Sequence, residues 1–316
     1  MAHYAMRRLL MAVPTIIGAT VIIFIIMRVV PGDVVDIITG EAGSGNEAKR
    51  EQLRDELGLA DPLPVQYLKW IGDLSTLDAG DSLVSRRPIL SEVRPRILVT
   101  AELAFGAIFV SLLIAIPIGT ISAIKQDSWI DYVMRVVSIG GLSLPSFWIA
   151  TLIIMVLSRY FGWLPPLQYS EPWDDPRANI SQMFWPVLIL GYALSASVSR
   201  MTRSSVLEAL REDYVRTARA KGLSGFDVNI RHVLRNALLP VVTISAGQFG
   251  ALIGGAVVTE SIFVLPGMGS YIVNAITLRD YPAVQFTVAL MAFVFVFINL
   301  ATDLSYGFLD PRIRYD

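Results

Sequence analysis

Apolar residues are gathered into six long runs that polar segments separate. The runs cover residues 9–30, 100–124, 136–157, 183–198, 238–262 and 283–306. A helix of about 20 residues crosses the hydrocarbon core of a bilayer. Pro, Gly, Ser or Thr interrupts each run, which membrane helices tolerate where neighbours satisfy the freed backbone groups. The first run exceeds the apolar core of a cleaved signal peptide, so we expect six retained transmembrane helices.

Composition agrees with this pattern. Hydrophobic residues make up 54% of the 316 residues and charged residues 17%, whereas an ordinary soluble domain has about 25% charged residues. The sequence therefore predicts an all-α polytopic membrane protein.

The basic residues predict the orientation in the membrane. Residues 200–235 contain eight Lys and Arg, while residues 31–99 carry eight basic and twelve acidic residues over a longer stretch. Basic residues in short loops near span ends mark the cytosolic side. Both termini and the segment 200–235 are therefore expected in the cytosol, and residues 31–99 outside.

Several chemistries find no support in the sequence. The chain has no cysteine, and its two histidines, His3 and His232, form no zinc motif. It lacks the glycine-rich phosphate loop, so any ATP used must bind another subunit. A net charge of -1, with the basic region confined to one loop, argues against nucleic acid as a partner. We therefore predict no catalytic residue, no metal site and no cofactor bound by this chain.

The external segment is predicted to form a small cap. Residues 47–57 have helical spacing, and Asp61, Pro62 and Pro64 open a second helical segment. Such a cap can pack against the outer ends of the spans or contact an external protein, and the sequence leaves both open.

The segment between the fourth and fifth runs is predicted to be a helical hairpin. Ser205 and Glu208 have the spacing of a capping box that would begin its first helix. Gly222 stands where a left-handed C-terminal cap is needed, and Ser224 with Asp227 would begin a second helix. An amphipathic helix of this kind can dock in a groove of another protein or lie along the membrane surface.

The hairpin also carries a resemblance to a known family. DYVRTARAKGL from Asp213, followed by RHVLRNALLP, resembles the dipeptide, oligopeptide and nickel permeases of binding-protein-dependent ABC importers. Of the general E-A-A-x-x-x-G pattern of such importers, Ala218 and Gly222 match, and Arg216 stands in place of the glutamate. The start RRLLMAVPTIIGATVIIFIIMRVVPGD and the segments TESIFVLPGMGSYIVNAITLRDYPAVQ and FLDPRIRY resemble the first-type permease subunit of these systems.

This resemblance implies a type I ABC importer transmembrane domain. Residues 1–94 would hold the first span and the external domain, and residues 95–316 a five-helix core with a coupling loop at about 203–240. The implied partners are a second permease subunit, two ATPase subunits that bind ATP and Mg, and an extracytoplasmic solute-binding protein. The implied location is the cytoplasmic (inner) membrane of a prokaryote. ATPase contacts are expected at Tyr214, Thr217, Ala218, Lys221 and Gly222.

Two further groups of residues are candidates for function. The first group follows the fifth run, with the turn FVLPGMG at residues 263–269 and a short helix predicted at 271–278. It is either an ordinary exit turn or an external gate that contacts the binding protein. The gate residues would be Glu260, Pro266, Gly267 and Gly269, with Glu260 expected as a snorkelling or paired surface carboxylate. Polar residues that could line the pathway are Ser143, Ser146, Ser245 and Gln248. Gly250 and Gly254 predict a face for close helix packing.

The sequence leaves the substrate and the class of membrane protein open. Peptides are the expected substrate, with nickel, glutathione or sugars as alternatives within the same importer class. An autonomous secondary carrier or a membrane enzyme is the alternative from another class. A carrier is expected to show paired repeats and ionisable residues inside its spans, and the sequence shows neither.

Overall fold

The computed structural model describes residues 2–29, 51, 60–253 and 256–309, and these residues are mainly helical. We number the helices in chain order: α1 Ala2–Val29, α2 Leu63–Ser75, α3 Ile89–Ile124, α4 Trp129–Ser143, α5 Ser146–Phe161, α6 Pro176–Leu210, α7 Asp213–Ala220, α8 Gly225–Ile253, α9 Val257–Ile262, α10 Met268–Thr277 and α11 Tyr281–Leu309. The predicted all-α class is confirmed.

Five helices of the described part are long and apolar enough to cross a membrane. They are Leu10–Val29, Ile89–Ile124, Pro176–Leu210, Gly225–Ile253 and Tyr281–Thr302. Each contains or overlaps a predicted span. The predicted fourth span, residues 183–198, was too short, because α6 extends by at least seven residues at each end. The predicted domain boundary at residues 94 and 95 lies inside the continuous helix α3.

The third predicted span is broken. The helical stretches Trp129–Gly141 and Ser146–Phe161 meet at an angle of 90°, so residues 136–157 do not form one straight helix. Leu144 has extended dihedral angles, φ −117° and ψ 134°. The ring of Pro145 disfavours helical geometry at the residue before it, which explains the break. The pair gives a sixth span only if both arms are counted together.

Helices α3 and α6 form the centre of the fold. They are in close contact at Gly106, Gly119 and Gly191. A Cβ atom on Gly119 would lie 2.6 Å from the Ser199 carbonyl oxygen, and one on Gly191 would lie 2.7 Å from Val110 Cβ. Small residues let membrane helices touch backbone to backbone, and here they fix α3 against α6.

Gly250 plays a similar role between α8 and α11. A Cβ atom there would lie 3.0 Å from Phe295 Cδ2, so the expected packing face is present at this position. The predicted partner position, Gly254, lies outside the described residues. The fifth predicted span, residues 238–262, is interrupted at Ala256, which is not helical and precedes the separate short helix α9.

The described part of the predicted cap, residues 60–88, packs on the spans. Tyr67 of α2 shares a 2.9 Å hydrogen bond with Thr20 of α1, and Arg28 Nη2 donates to Gln66 Oε1 at 2.8 Å. Farther along, the Ser82 hydroxyl donates to Asp280 Oδ2 at 2.5 Å, just before α11. The interpretation of a cap that packs on the spans therefore holds for residues 60–88. The predicted helix at residues 47–57 lies almost wholly outside the described residues.

Candidate functional site

The hairpin begins differently from the prediction. Ser205 and Glu208 lie inside α6, which continues to Leu210, so the predicted capping box does not start a helix. Ser205 is buried between helices rather than placed at a helix end. The first hairpin helix is instead the short α7, Asp213–Ala220, and Glu212 precedes it with extended dihedral angles.

The turn between the two hairpin helices matches the prediction. Gly222 has φ +80°, and a Cβ atom on it would have no neighbour within 4 Å, so backbone geometry alone demands glycine here. The Ser224 hydroxyl then accepts a hydrogen bond from the Asp227 amide at 3.1 Å. The second predicted helix start is confirmed.

Helix α7 has an inner face and an outer face. Val215 and Ala218 are buried in a cluster with Val206 and Ala209 of α6. Ala218 is 5% exposed, so it packs within this chain and is not available for the predicted ATPase contact. The sequence pattern was misleading because small size suits inward packing as well as close approach by a partner.

The other predicted contact residues lie at the surface. Thr217, Lys221 and Gly222 are exposed, while Tyr214 is half-buried against the same cluster. Arg219 adds positive charge to the exposed face, and Arg216 lies there paired with Asp213 at 3.3 Å. Helix α7 of the hairpin thus has a polar, basic face that is exposed. Its apolar face packs against α6.

Two apolar residues of the turn were missed by the sequence analysis. Leu223 is 42% exposed and Phe226 is 74% exposed, on either side of Ser224 and Gly225. Exposed large side chains next to a basic helix are suited to fill an apolar groove on a partner protein. Their position beside Gly222, outside the periodic part of α7, is the signal that could have identified them.

The second hairpin helix begins with an irregular segment. Residues Val228–Leu234 are π-helical before regular helix resumes at Arg235. Val228 and Val233 of this segment are buried in the cluster beneath α7. A π-helical stretch is rare and frequently marks a functional site. Here it joins the hairpin directly to the spanning part of α8.

Glu260 is the centre of the second candidate segment, residues 260–282. Its side chain is fully buried, so the prediction of a snorkelling or paired surface carboxylate is wrong. It accepts hydrogen bonds from the Thr100 hydroxyl and from the Ser270 amide, both at 2.8 Å. Buried carboxylates require such partners, and these come from α3 and α10. Glu260 therefore joins three helices.

The predicted glycines surround this carboxylate. A Cβ atom on Gly267 would lie 2.3 Å from Glu260 Cδ, and one on Gly269 would lie 2.8 Å from Val257 Cγ2. Val264, just before them, has φ +54°, which is unusual for a β-branched residue. The adjacent Leu265 amide donates to the Glu260 carbonyl at 2.8 Å. Phe263–Gly269 is thus a tight turn that only glycine permits at two positions.

A charged cavity of about 310 Å³ borders this turn at Pro266. Arg96 lies on one wall, with its guanidinium 4.6 Å from the centre of the Tyr271 ring. The Tyr271 hydroxyl donates to Glu92 at 2.9 Å. Burial, followed by the hydrogen bond to Glu92, raises the pKa of Tyr271 above its ordinary value, so the phenol remains a donor.

The four candidate pathway residues do not form one cluster. Ser143 is exposed and donates to Ile139 in its own helix, and Ser146 is half-buried after the break. Ser245 is buried and donates to Val241, so it lines no open surface of this chain. Gln248 Nε2 donates to Ser197 at 2.6 Å, which joins α8 to α6. A pathway role remains a prediction for Ser143, Ser146 and Gln248.

Metal binding has no evident place in the described part of the chain. Within it, no group of three or more His, Cys, Asp or Glu side chains is arranged to hold a metal ion.

Comparison with known proteins identifies the family. Residues 115–315 match the family described as binding-protein-dependent transport system inner membrane component, and residues 1–90 match its N-terminal companion. The chain is 39% identical over its whole length to the full-length dipeptide transport system permease protein DppB of Alkalihalophilus pseudofirmus. It is also 39% identical over its whole length to DppB of Escherichia coli K12, of which 99% is covered.

A third relative agrees. The chain is 38% identical to a putative peptide transport system permease protein of Brucella abortus, and both chains are covered completely. These relatives are transport subunits, which confirms the prediction of a non-catalytic membrane component. The chain belongs to the family of binding-protein-dependent transport system inner membrane components.

Proposed function

We propose that this chain is one of two permease subunits of an ATP-driven importer that carries peptides across the cytoplasmic membrane. The full-length similarity to permeases named for dipeptide and peptide transport supports this substrate class. The second permease subunit, the two ATPase subunits with ATP and Mg, and the extracytoplasmic binding protein belong to the same proposal.

The observation that carries the proposal is the two-faced hairpin. Its inner side is fastened to α6 by Val215 and Ala218, while Leu223 and Phe226 are exposed beside a basic helix. A surface of this composition fits an apolar groove with an acidic rim. We infer that the groove belongs to an ATPase subunit, and that movement of the groove moves α6 and α8.

Uptake of a labelled dipeptide in reconstituted vesicles tests the transport function. We expect uptake only when the second permease, both ATPases, the binding protein and ATP are present. Uptake without ATPase subunits would show an autonomous carrier and overturn the proposal. Uptake of nickel or a sugar in place of the dipeptide would retain the importer class and reject the substrate.

Docking is tested separately. We expect Leu223→Ser with Phe226→Ser to release the ATPase subunits in a pull-down while leaving thermal unfolding of the purified chain unchanged. Leu167→Ser with Trp173→Ser is the matched control, because both side chains are exposed between α5 and α6, on the side of the chain opposite the hairpin. Unchanged ATPase association would remove the hairpin from the docking surface.

The orientation can be measured directly because the chain has no cysteine. A single cysteine at Arg216 should react with a membrane-impermeant maleimide only after the cells are opened, whereas a cysteine at Asp78 should react in intact cells. The reverse result would place the hairpin outside.

At the outer face, we propose that Pro266, Gly267 and Gly269 shape a gate that contacts the binding protein, with Glu260 holding it from inside. The turn is supported by buried hydrogen bonds and borders an open charged cavity. Crosslinking from a cysteine at the half-exposed Val264 to the binding protein tests the contact. Absence of a crosslink in every nucleotide state would reject it.

A further inference from the structure

A second cavity lies at the hairpin end of α3, between α4 and α6. Its volume is about 270 Å³. The lining residues used below are Ile118, Arg135, Ile139, Arg200, Arg203 and Leu207. The cavity is separate from α7 and from the turn at Phe263–Gly269. The distribution of basic residues places it at the cytosolic surface of the membrane.

An ion cluster holds one wall of this cavity. Asp131 of α4 is fully buried and accepts hydrogen bonds from Arg203 Nη2 at 2.9 Å and from the Asp127 amide at 3.1 Å. Ser122 of α3 also donates to Asp131. Arg135 Nη2 lies 3.2 Å from the same carboxylate. One carboxylate therefore faces two guanidinium groups.

The cavity carries more positive charge than the single carboxylate of Asp131 balances. Arg203 alone balances Asp131, while Arg135 and Arg200 add two further charges along the lining. The Arg135 Nε atom is buried and has no hydrogen-bond partner among the described residues. A buried donor without an acceptor is costly. The Arg135 side chain as a whole is 39% exposed, so an anion can reach its guanidinium group, and guanidinium groups match phosphate oxygens well.

Beside the arginines, the lining combines aliphatic side chains with the serines Ser122, Ser138, Ser199 and Ser204. Ile118, Ile139 and Leu207 contribute aliphatic wall. On the neighbouring surface of α4, Trp129 is 74% exposed and Tyr132 is 57% exposed. Trp and Tyr are enriched at the level of lipid headgroups. A ligand that fits this surface has a phosphate at the arginines and an acyl chain along the apolar wall.

We propose that this cavity binds the headgroup of an anionic phospholipid of the cytosolic leaflet. Basic pockets between membrane helices on this side suit such headgroups. The phosphate lies against Arg135 and Arg200, and Arg203 stays bonded to Asp131. Because Asp131 and Arg203 join α4 to α6, the bound lipid stabilises the position of α4 at the cytosolic surface.

Native mass spectrometry of the assembled importer tests the proposal with phosphatidylglycerol and phosphatidylcholine as probes. We expect retained phosphatidylglycerol, and a loss of about fivefold in affinity for Arg135→Gln or Arg200→Gln alone and about 25-fold for both together, at about one kcal/mol per arginine. Lys125→Gln is the matched control, because it removes one exposed charge at the same end of α3 outside the cavity lining. It should leave retention unchanged.

Three outcomes would overturn the proposal. Equal retention of phosphatidylcholine would show a site without charge recognition. Binding of inorganic phosphate without retained phosphatidylglycerol would assign the arginines to a soluble anion. Loss of the second permease subunit from the double variant, with lipid content unchanged, would assign this surface to the contact between permease subunits.

Discussion

Thr100 and Glu260 lie 160 positions apart in the sequence, yet the Thr100 hydroxyl donates a hydrogen bond to the Glu260 carboxylate at 2.8 Å. The same hydroxyl oxygen accepts a hydrogen bond from the Met268 amide at 2.8 Å. One hydroxyl group of the central helix α3 therefore bonds to both helices that flank the turn at residues 263–269.

Replacement of this hydroxyl should loosen the turn. We expect Thr100→Val to destabilise the purified protein by about 1–3 kcal/mol, because the Met268 amide would be buried without an acceptor. Thermal unfolding in detergent measures the effect. Thr100→Ser keeps the hydroxyl and should recover most of the loss. Equal stability of the Val variant and the wild type would show that the two hydrogen bonds contribute nothing.

Gly267 should not tolerate a methyl group. Its Cβ atom would lie 2.3 Å from Glu260 Cδ, so Gly267→Ala must displace the buried carboxylate, with a cost of about 1–3 kcal/mol. We expect a lower unfolding temperature and reduced dipeptide uptake. Gly72→Ala is the control, because a Cβ atom on Gly72 has no neighbour within 4 Å. A Gly267→Ala variant as stable as the control would contradict the tight turn.

Asp131 and Arg203 should depend on each other. Asp131→Leu leaves Arg203 without its carboxylate, and we expect a cost of about 3–5 kcal/mol. Arg203→Met should cost less, because Arg135 remains 3.2 Å from Asp131. The double variant should lose less stability than the sum of the two single losses, because both members of the pair are removed and only the partly exposed Arg135 loses its carboxylate. A double-mutant cycle by thermal unfolding measures the coupling. Additive losses would show that the 2.9 Å contact is not an energetic pair.

The two faces of α7 should respond differently to the same residue. Ala218→Leu overpacks the buried cluster and should destabilise the chain by about 1–3 kcal/mol. Thr217→Leu adds a similar side chain at an exposed neighbouring position and should leave unfolding unchanged while altering ATPase association. If Ala218→Leu weakened association without a change in stability, the inward assignment of Ala218 would be wrong.

Periodic apolar runs predicted most of the fold, because burial in a bilayer imposes a length and a composition on each helix. The ends of the helices were harder to predict from the sequence. Ser205 and Glu208 have the spacing of a cap, but α6 continues past them, since tertiary burial of Ser205 and Val206 overrides the local signal. Gly222 was predictable, because its positive φ is a local property that few residues besides glycine adopt readily.

The burial of Glu260 could not be predicted from the sequence. A carboxylate near a membrane edge is ordinarily solvated, and the distant Thr100, the Ser270 amide and the turn at Gly267 together make a buried position possible. The break at Pro145 is a similar case. Proline in a membrane helix is compatible with a mild kink or a complete bend, and the packing of the two arms decides between them.

The length of α6 has a mechanical consequence. Its 35 residues form a rod of about 52 Å at 1.5 Å per residue, and glycine contacts hold its middle part to α3. One end carries the hairpin, and the other begins beside the loop that contains Tyr169 and Trp163. The clamp formed by these glycine contacts extends from Val187 to Thr202, nearly half of the helix. We therefore expect a displacement of the hairpin to carry α3 along with α6, so that the two central helices move as one body.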